Sequence, residues 1–508
     1  MKVLGYEDLA AGADARGHVL VEADVAVVGS GAGGAVAARE LSASGRRVVV
    51  LEEGPFVPTE SFTGRPMEMV RRTYRYAGMT TTLGRPGIPL PLGRAVGGTT
   101  VINSGTCLRT PDAVLARWRD DFGLRALGPG ALDPYFEEVE RTVGVAPVPY
   151  DLWGRNQQLF ARGAEKLGFR PKGLPRNARG CRGTGLCAFG CPRGAKQSML
   201  RTYLPWAAAQ GAVLYSDLRA ERLLVEWGAA AGVHATARDP QGERPPVPVT
   251  VRARRVVLAG GAIGTPALME KSGLGGAGPV GRGLRIHPAS KVYAYFENED
   301  VRGLEGVPQG VYLDEWAADG IVFEGIFVPP ELGALAIPGM GAAHKQVLAR
   351  YRNVASFGVF VSDTAAGRVR LGPEGVPLMF YDLAPGDARK FLRGLALLCE
   401  AFLAAGAKEV YPGVHGVETV RTPAEARALV DARAGRQDLE LMAFHPMGTC
   451  RMGRDRRAGV VDTEGAVHAV PGLWVMDASV FPTSLGVNPQ ETIMAFATRA
   501  ARRLAQQL

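Results

Sequence analysis

Short apolar runs alternate with a helix-type pattern at the start of the chain. Residues 24–28 read DVAVV, an unbroken Val-rich run that is typical of a strand buried on both faces of a parallel sheet. A glycine-rich turn follows, and then a segment with Ala and Leu along one face, which predicts a helix that ends near Gly45. The next apolar run, RVVVLEE at 47–53, predicts a second strand. The order strand, turn, helix and strand predicts a parallel βαβ unit.

Later apolar segments fall into two types. RRVVLAGG at 254–261 and GLWVMD at 472–477 are again uninterrupted and predict buried strands of a parallel sheet. KVYAYFE at 291–297 and VASFGVFVS at 354–362 instead alternate between the two faces, which favours antiparallel strands. The chain is therefore expected to be an α/β protein, with a Rossmann-like domain assembled from discontinuous segments and a second domain built on an antiparallel sheet.

Composition and charge narrow the class of protein. The 508 residues are enough for two or three domains, and the 67 glycines exceed average usage. The formal net charge is +9, but Lys and Arg are scattered among acids, so nucleic acid is not an expected partner. Nowhere do eighteen apolar residues run together, and no transmembrane segment is expected. Without a signal-peptide pattern, we expect a cytoplasmic protein, with export alongside a partner subunit left open.

The turn after the first strand carries the pattern G-x-G-x-x-G at Gly29, Gly31 and Gly34. In such a unit the first glycine makes the tight turn, the second lets a pyrophosphate approach the backbone, and the third lets helix pack on strand. Glu52, at the end of the second strand, is placed to accept hydrogen bonds from ribose hydroxyls. The complete unit predicts a dinucleotide site, and the acid argues against NADP, but the motif does not separate FAD from NAD.

Four other stretches carry a family resemblance. They are GRAVGGTTVIN at 93–103, GAIGTPALMEKSGLG at 261–275, HPMGTCRMG at 445–453, and the segment 460–501 that begins VVDTEGAVH. In this order they resemble the two signatures and the C-terminal block of the glucose–methanol–choline (GMC) oxidoreductases. The resemblance runs nearly from end to end and is weakest between about 290 and 440. It implies an FAD-dependent enzyme.

The resemblance also implies which residues meet the FAD. The second glycine motif has no His, the residue that some relatives use to hold FAD covalently, so non-covalent FAD is expected. The predicted cofactor-binding residues are Gly29, Gly31, Ala32, Gly33, Gly34, Glu52, Arg94, Gly97, Gly98, Thr99, Asn103, Ala220, Asp477, Ala478, Asn488 and Pro489.

Two residues near the end of the chain match the family's catalytic positions. His445 precedes Pro-Met-Gly-Thr, where the family places its catalytic His, and Asn488 matches the second position, which holds His or Asn. Oxidising an alcohol needs a base for the hydroxyl proton and a donor for the developing alkoxide. A neutral imidazole suits the first task. We expect His445 to accept the proton and Asn488 to orient the hydroxyl while a hydride passes to flavin N5.

A cysteine-rich run, CRGTGLCAFGCPRGAKQ, begins at Cys181. Cys181, Cys187 and Cys191 with Pro192 resemble a ferredoxin run in which Thr184 replaces one ligand. The same spacing is found in bacterial FAD-dependent sugar dehydrogenases of the family, which carry a [3Fe–4S] cluster there. The resemblance implies such a cluster on the three cysteines. A zinc site would need a fourth ligand that the run lacks, whereas a disulfide or three free thiols stay open.

The predicted function follows from these parts. It is FAD-dependent oxidation of an alcohol, with electrons leaving through the cluster to an external acceptor such as a quinone, a cytochrome or a small partner subunit. The apolar stretch 306–340 offers few polar groups for a sugar, which favours a hydrophobic alcohol. The alternatives are an alcohol oxidase that reduces oxygen to peroxide without a cluster, a sugar dehydrogenase, and a non-redox FAD lyase. The predicted division is 1–110, 200–289 and 455–508 for the FAD-binding domain, 111–199 for a cap or linker with the Cys-rich run, and 290–454 for the substrate-binding domain.

Overall fold

The computed structural model describes residues 1–334, 337 and 340–508, apart from the side chain of residue 343. Part of the apolar stretch 306–340, namely 335–336 and 338–339, thus lies outside the described residues. The helices are α1 (Tyr6–Ala11), α2 (Ala32–Ala43), α3 (Pro66–Thr73), α4 (Asp112–Asp121), α5 (Asp133–Val143), α6 (Gly154–Lys166), α7 (Tyr203–Ala209), α8 (Gly261–Lys271), α9 (Pro330–Gly333), α10 (Gly341–Ala349), α11 (Pro385–Ala404), α12 (Pro423–Ala428) and α13 (Gln490–Gln506).

Strands from distant parts of the chain form several sheets. In chain order they are β1 (Val3–Leu4), β2 (Val19–Val28), β3 (Val48–Leu51), β4 (Val145–Pro147), β5 (Lys172–Gly173), β6 (Pro175–Asn177), β7 (Val213–Tyr215), β8 (Leu218–Glu226), β9 (Ala229–Ala237), β10 (Val247–Leu258), β11 (Arg282–Leu284), β12 (Pro288–Tyr295), β13 (Val311–Leu313), β14 (Ile321–Gly325), β15 (Val354–Val361), β16 (Gly367–Leu371), β17 (Pro377–Phe380), β18 (Glu409–Tyr411), β19 (Met442–Ala443) and β20 (Leu473–Val475).

The largest sheet has the order β1-β7-β3-β2-β10-β9-β8, with β20 also paired to β10. Strands β1, β7, β3, β2, β10 and β20 run parallel, whereas β9 pairs antiparallel with β10, and β8 pairs antiparallel with β9. The Val-rich centre of β2 is fully buried between its neighbours, as the uninterrupted apolar run predicts. Because β2, β3, β10 and β20 are parallel, their carboxyl ends meet at one edge of the sheet, where ligands bind in such folds.

A second sheet, of seven strands, is antiparallel throughout. Its order is β18-β12-β15-β14-β13-β5, and β19 pairs with β12. The alternating segments KVYAYFE and VASFGVFVS form its central pair, β12 and β15. The predicted fold class, a Rossmann-like α/β domain of discontinuous segments plus an antiparallel sheet, is confirmed. The domain boundaries stay a prediction.

Helices α6 and α11 pack closely beside the second sheet. A methyl group added at Gly163 of α6 would lie 1.8 Å from the carbonyl oxygen of Ala401 on α11, so only a glycine fits between the two helices. The fully buried residues Phe160, Phe357 and Phe402 fill the adjoining core, with the Phe160 and Phe357 rings stacked at 3.5 Å between centroids.

We expect Gly163→Ala to lower the free energy of unfolding by about 1–3 kcal/mol, because the added methyl forces the two helices apart. Chemical denaturation of the purified protein measures this. The matched control is Gly386→Ala in α11, where the added methyl meets no described residue outside its own helical turn within 4 Å. That change should leave stability unaltered or raise it by up to about 1 kcal/mol. Equal stabilities for the two variants would contradict the packing described here.

Among the helices of the described residues, none combines the length and the apolar composition that crossing a membrane requires.

Candidate active site

A cavity of about 900 Å³ lies at the carboxyl edge of the parallel sheet and extends beneath the antiparallel sheet. It is large enough for a sizeable ligand. Most of the residues that the sequence predicted for the cofactor and for catalysis line this one space. They are Gly29, Gly31, Ala32, Gly33, Glu52, Gly98, Thr99, Asn103, Ala220, His445, Asp477, Ala478, Asn488 and Pro489.

Two glycines shape the turn between β2 and α2. Gly29 has φ +100°, a left-handed conformation that disfavours side chains, and a methyl there would lie 2.4 Å from the Ala259 carbonyl oxygen. A methyl at Gly34 would lie 2.0 Å from the Gly29 carbonyl oxygen. Gly34 does not line the cavity; it sits where the helix packs on the turn and strand, as the motif predicts.

Gly33 and Gly31 differ in what surrounds them. A methyl at Gly33 would lie 1.7 Å from the carbonyl oxygen of Met476, so this glycine lets α2 approach the end of β20. Apart from its neighbours in sequence, the nearest described atom that a methyl at Gly31 would meet is the Gly98 Cα, at 3.9 Å. The protein itself therefore leaves space open at Gly31, which lines the cavity. An open glycine at a helix N-terminus fits the approach of a pyrophosphate.

Glu52 is buried at the end of β3 and is held by the chain itself. Its Oε2 accepts hydrogen bonds from the Ser30 hydroxyl (2.6 Å) and the Ser30 N–H (3.1 Å), and its Oε1 accepts one from the Gly54 N–H (2.8 Å). Burial raises the pKa of this carboxyl, and the hydrogen bonds oppose that rise. The Ser30 hydroxyl in turn accepts from the Gly97 N–H at 2.9 Å, so Glu52 is tied to the second glycine motif. The sequence did not indicate that Ser30 links Glu52 to the second glycine motif.

Asp477, just after the end of β20, is likewise a buried carboxylate that accepts hydrogen bonds from the chain. Its Oδ2 accepts from the Gly261 N–H (2.9 Å) and from the Thr265 hydroxyl (2.6 Å), while its Oδ1 accepts from the Ser479 N–H (2.8 Å). Burial raises its pKa as well. The carboxylate thus fixes the start of α8 against the carboxyl end of the parallel sheet, beside the cavity.

Three helices begin at the cavity wall. The first turns of α2, α8 and α13 all contribute lining residues. Helix N-termini carry unpaired N–H groups and a positive partial charge, so their convergence suits an anionic ligand such as a pyrophosphate. Together with the open glycine at position 31, this cradle fits FAD.

The loop that follows the second glycine motif is tied to α13. Asn103 Nδ2 donates to Gln490 Oε1 (2.8 Å), and Gln490 Nε2 donates to the Thr106 carbonyl (2.7 Å). Gln490 is buried and lies directly after Asn488-Pro489. Gln490 therefore positions the loop at Asn103, which is predicted to bind the cofactor, relative to the predicted catalytic residue Asn488. The sequence alone did not indicate this role.

Two further predicted cofactor residues do not line the cavity. The guanidinium of Arg94 donates to the Glu53 carbonyl oxygen at 3.1 Å. Gly97 has φ +96°, and a methyl there would lie 2.8 Å from Val101 Cγ2. This glycine is therefore required by the conformation and packing of the loop. Their direct contact with FAD stays a prediction.

His445 and Asn488, which are 43 residues apart in sequence, meet at the cavity wall. Asn488 Nδ2 lies 3.3 Å from His445 Nε2. Asn488 is buried, and its Oδ1 has no hydrogen-bond partner among the residues that the structure describes. The structure thus brings together the two predicted catalytic side chains in the same space as the glycine cradle.

Burial and the neighbouring His287 lower the pKa of His445 to about 3. His445 is consequently neutral at working pH and keeps a lone pair available. The two imidazole rings are nearly perpendicular, with centroids 5.5 Å apart. His287 Nε2 accepts hydrogen bonds from the backbone N–H groups of Leu485 (3.1 Å) and Gly486 (3.2 Å), so it holds the loop that leads to Asn488.

Glu324 is an acidic residue at this site that the sequence did not single out. It lies on β14, is buried and lines the cavity. Its Oε2 is 3.3 Å from Asn488 Nδ2 and 3.3 Å from Gln309 Nε2. Burial raises its pKa to about 7. An Asp or Glu in an otherwise apolar strand, VFEGIF, is the signal that could have found it.

The three cysteines of the Cys-rich run are half-buried thiols that line one small cavity of about 10 Å³, room for about one water. Cys187 also lines the large cavity. Arg176, which is buried, has its Nη2 3.1 Å from Cys187 Sγ. Across residues 1–334, 337 and 340–508, no three His, Cys, Asp or Glu side chains are arranged to hold a metal ion. As arranged, these residues do not fit a [3Fe–4S] cluster.

Comparison with known families matches residues 70–289 and 363–497 to two domains described as GMC oxidoreductase, and residues 27–78 to an NAD(P)-binding Rossmann-like domain. An uncharacterized GMC-type oxidoreductase of Mycobacterium tuberculosis is 43% identical over 95% of this chain and 76% of the relative. The long-chain-alcohol oxidase FAO3 of Arabidopsis thaliana is 29% identical over 96% of this chain and 69% of the relative. Pyridoxine 4-oxidase, a solved structure, has the same fold, with TM-score 0.71 and 19% identity over 94% of this chain and 98% of that chain.

Proposed function

The chain belongs to the GMC oxidoreductase family and is an FAD-dependent oxidoreductase, and on that premise we propose that it oxidises an alcohol to an aldehyde or ketone in the cavity lined by His445 and Asn488. The observation that carries this proposal is the 3.3 Å approach of Asn488 Nδ2 to His445 Nε2 beside the glycine cradle. The family resemblance inferred from the motifs is confirmed. The roles of individual residues are proposals.

His445 and Asn488 have different roles at the substrate hydroxyl. A hydroxyl oxygen placed against both side chains donates its proton to His445 Nε2 and accepts a hydrogen bond from Asn488 Nδ2. Since burial disfavours a resting imidazolium, Nε2 keeps a lone pair; the Asn488 N–H donates to it in the chain alone, and the bound hydroxyl takes over that position and gives Nε2 its proton. The Asn488 N–H stabilises the charge that develops on oxygen. When bound, FAD supplies the acceptor for the hydride that leaves the carbinol carbon.

The cavity wall around this pair favours an alcohol with an apolar body. Ile326, Phe327, Val328, Phe360 and Phe444 line it. A sugar would need several convergent polar groups, and these five residues add apolar surface instead; the polar residues that line the same cavity include Gln309, Glu324 and Lys291. We therefore propose a hydrophobic alcohol as the substrate, in line with the name of the long-chain-alcohol oxidase relative.

Turnover tests the proposal directly. Purified protein should release unmodified FAD on denaturation and should convert alcohols to aldehydes or ketones when an artificial electron acceptor is present. A protein that binds FAD but leaves every alcohol unchanged would favour the non-redox lyase alternative. A preference for sugars over hydrophobic alcohols would favour the sugar dehydrogenase.

Two versions of this function differ in the molecule that finally accepts the electrons. The motif-based version uses a [3Fe–4S] cluster and an external acceptor such as a quinone, a cytochrome or a partner subunit. The oxidase version reduces oxygen to peroxide, and several relatives are named as oxidases. Because no group of side chains that could hold a metal ion is found among the described residues, and the small cavity that the three cysteines line is only about 10 Å³, the proposed chemistry does not include a cluster.

Iron analysis decides between the two versions. The cluster prediction expects iron and FAD in a three-to-one ratio in protein purified without air, and loss of that iron in Cys187→Ser. The matched control is Cys399→Ser, a buried cysteine far from the run in sequence. Iron-free protein that forms one peroxide per alcohol oxidised would contradict the cluster and support the oxidase.

A further inference from the structure

Four arginines form a patch outside the cavity, and none of them lines it; this arginine patch consists of Arg282, Arg285, Arg368 and Arg451. Arg282 on β11 and Arg368 on β16 are exposed and lie directly opposite each other in an antiparallel pair. Such a position brings the two Cβ atoms to about 5 Å, and like charges placed there repel each other. The pair therefore destabilises this sheet unless an anion binds between the two side chains.

Arg451 brings a third positive charge to the same place. Its Nη1 would lie 3.3 Å from a methyl added at Gly283, the residue that follows Arg282. Burial and the repulsion from Arg285 and Arg282 lower the pKa of Arg451. The charged neighbours that act on this guanidinium are thus themselves arginines.

Arg285 completes the arginine patch and is only partly satisfied by the chain. Its Nη1 donates to the carbonyl oxygens of Thr364 and Ala365. Its Nε is buried and has no hydrogen-bond partner among the described residues. Because buried N–H groups are normally paired, the surroundings of this guanidinium lack an acceptor.

Two carboxylates in the neighbourhood are engaged elsewhere. Asp363, which is buried, accepts a hydrogen bond from the Tyr381 hydroxyl at 2.9 Å. Glu270 pairs with Arg370 at 3.6 Å. In the part of the chain that the structure describes, no carboxylate oxygen lies within 4 Å of a side-chain nitrogen of the arginine patch. The protein therefore gathers four guanidinium groups without supplying their counter-charge.

We propose that the arginine patch binds a phosphate group, which gives the protein an anion site separate from the cavity. A guanidinium donates two parallel hydrogen bonds to a phosphate, and the several charged oxygens of a phosphate let more than one arginine bind it at once. The phosphate belongs either to a free phosphorylated compound or to a lipid headgroup. This site does not depend on the proposed oxidation of an alcohol.

Main-chain hydrogen bonds connect the arginine patch to the segment that carries His445. The Arg285 N–H donates to the Met447 carbonyl oxygen (3.0 Å), and the Met447 N–H donates to the Arg285 carbonyl oxygen (2.9 Å). The Gly281 N–H donates to the Thr449 carbonyl oxygen at 2.8 Å. Because Met447 lies two residues after His445, an anion held by the arginine patch also stabilises the segment that positions the catalytic side chain. We expect phosphate binding to raise the unfolding temperature.

Calorimetric titration with inorganic pyrophosphate at constant ionic strength tests the site. FAD is kept saturating, so that pyrophosphate cannot bind in the glycine cradle. We expect the wild-type protein to bind pyrophosphate, and the double variant Arg282→Gln/Arg368→Gln to bind it more weakly by roughly tenfold or more, since charge-assisted hydrogen bonds are lost. The matched control, Arg16→Gln/Arg125→Gln, removes the same net charge from two exposed arginines elsewhere and should bind as wild type does.

Thermal unfolding provides a second readout that needs no turnover. Without phosphate, Arg282→Gln/Arg368→Gln should be at least as stable as the wild-type protein, because the repulsion between the two strands is removed. Added pyrophosphate should raise the unfolding temperature of the wild-type protein and of the control, but not that of Arg282→Gln/Arg368→Gln. A double variant that is folded and still stabilised by pyrophosphate would contradict the assignment.

Sedimentation with vesicles distinguishes the two sources of the phosphate. If a lipid presents it, vesicles containing phosphatidylglycerol should carry the wild-type protein down, vesicles of phosphatidylcholine alone should not, and pyrophosphate should compete. Pyrophosphate binding without sedimentation assigns the site to a free phosphorylated compound. Either result supports the arginine patch. Absence of pyrophosphate binding, or an equal loss of affinity in the control variant, would overturn the proposal.

Discussion

His445→Ala is expected to slow the reduction of bound FAD by an alcohol by about a hundredfold to ten-thousandfold, the usual contribution of a positioned base. Nε2 of His445 is the acceptor that the structure places beside Asn488, at 3.3 Å. Without it the hydroxyl proton must pass to water in a largely apolar pocket. Anaerobic stopped-flow measurement of the flavin absorbance gives the rate directly.

The pH dependence and a control variant sharpen this result. The pKa of His445 is lowered to about 3, so its neutral, active form prevails above that value, and protonation of His445 should not reduce the rate between about pH 5 and pH 8. His415 lies on the surface, and His415→Ala should reduce FAD at the wild-type rate. Wild-type kinetics in His445→Ala would remove this residue from the mechanism.

Gly31→Ala is expected to weaken FAD binding by at least tenfold, about 1.4 kcal/mol, without destabilising the protein that lacks FAD. The reason is that, beyond its neighbours in sequence, no atom of the described residues lies nearer than 3.9 Å to the added methyl, so the fold accommodates it. The methyl would instead occupy the open wall of the cavity, where a pyrophosphate must approach the N-terminus of α2. Titration with FAD and thermal unfolding of the FAD-free protein measure the two effects.

Gly33→Ala, in contrast, should destabilise the protein even when FAD is absent. Its added methyl would lie 1.7 Å from the Met476 carbonyl oxygen, so the helix and the end of β20 must separate before any cofactor binds. We expect a lower unfolding temperature in the FAD-free protein itself. If Gly31→Ala bound FAD as tightly as wild type, the cradle assigned here would be wrong.

The sequence predicted those parts of the site that depend on backbone geometry. The turn at Gly29 and the strand ends before Glu52 and Asp477 follow from local patterns, since a buried parallel strand places its carboxyl end at a known edge. His445 and Asn488 were found only because flanking motifs resemble a family. Neither periodicity nor spacing alone would bring together two residues 43 positions apart.

Residues that act through tertiary contacts could not be predicted in this way. Ser30, Gln490 and His287 serve by hydrogen-bonding to segments distant in sequence, and nothing local distinguishes them from ordinary polar residues. Glu324 stands out in the sequence only as an acid in an otherwise apolar strand, and its burial beside Asn488 is evident only from the structure. The apolar character of 306–340 indicated a hydrophobic substrate but not which of its acids, Glu324 and Glu331 among them, would line the cavity.

The Cys-rich run shows a different limit of what a sequence can predict. Its spacing resembles a cluster-binding motif, yet ligand spacing in sequence does not fix the space between the thiols. The small cavity that all three cysteines line has a volume of about 10 Å³ here, and Arg176 contacts one of the three sulfur atoms. The cluster stays a prediction for iron analysis to decide, whereas the oxidation of an alcohol by FAD does not depend on it.

The most direct test of the central claim is anaerobic mixing of the FAD-loaded protein with an alcohol and with the same alcohol deuterated at the carbinol carbon. If His445 and Asn488 present the hydroxyl so that a hydride leaves that carbon, the flavin absorbance should bleach and an aldehyde or ketone should form in equal amount. The deuterated alcohol should bleach it several times more slowly. A flavin that stays oxidised with every alcohol tested would contradict the account.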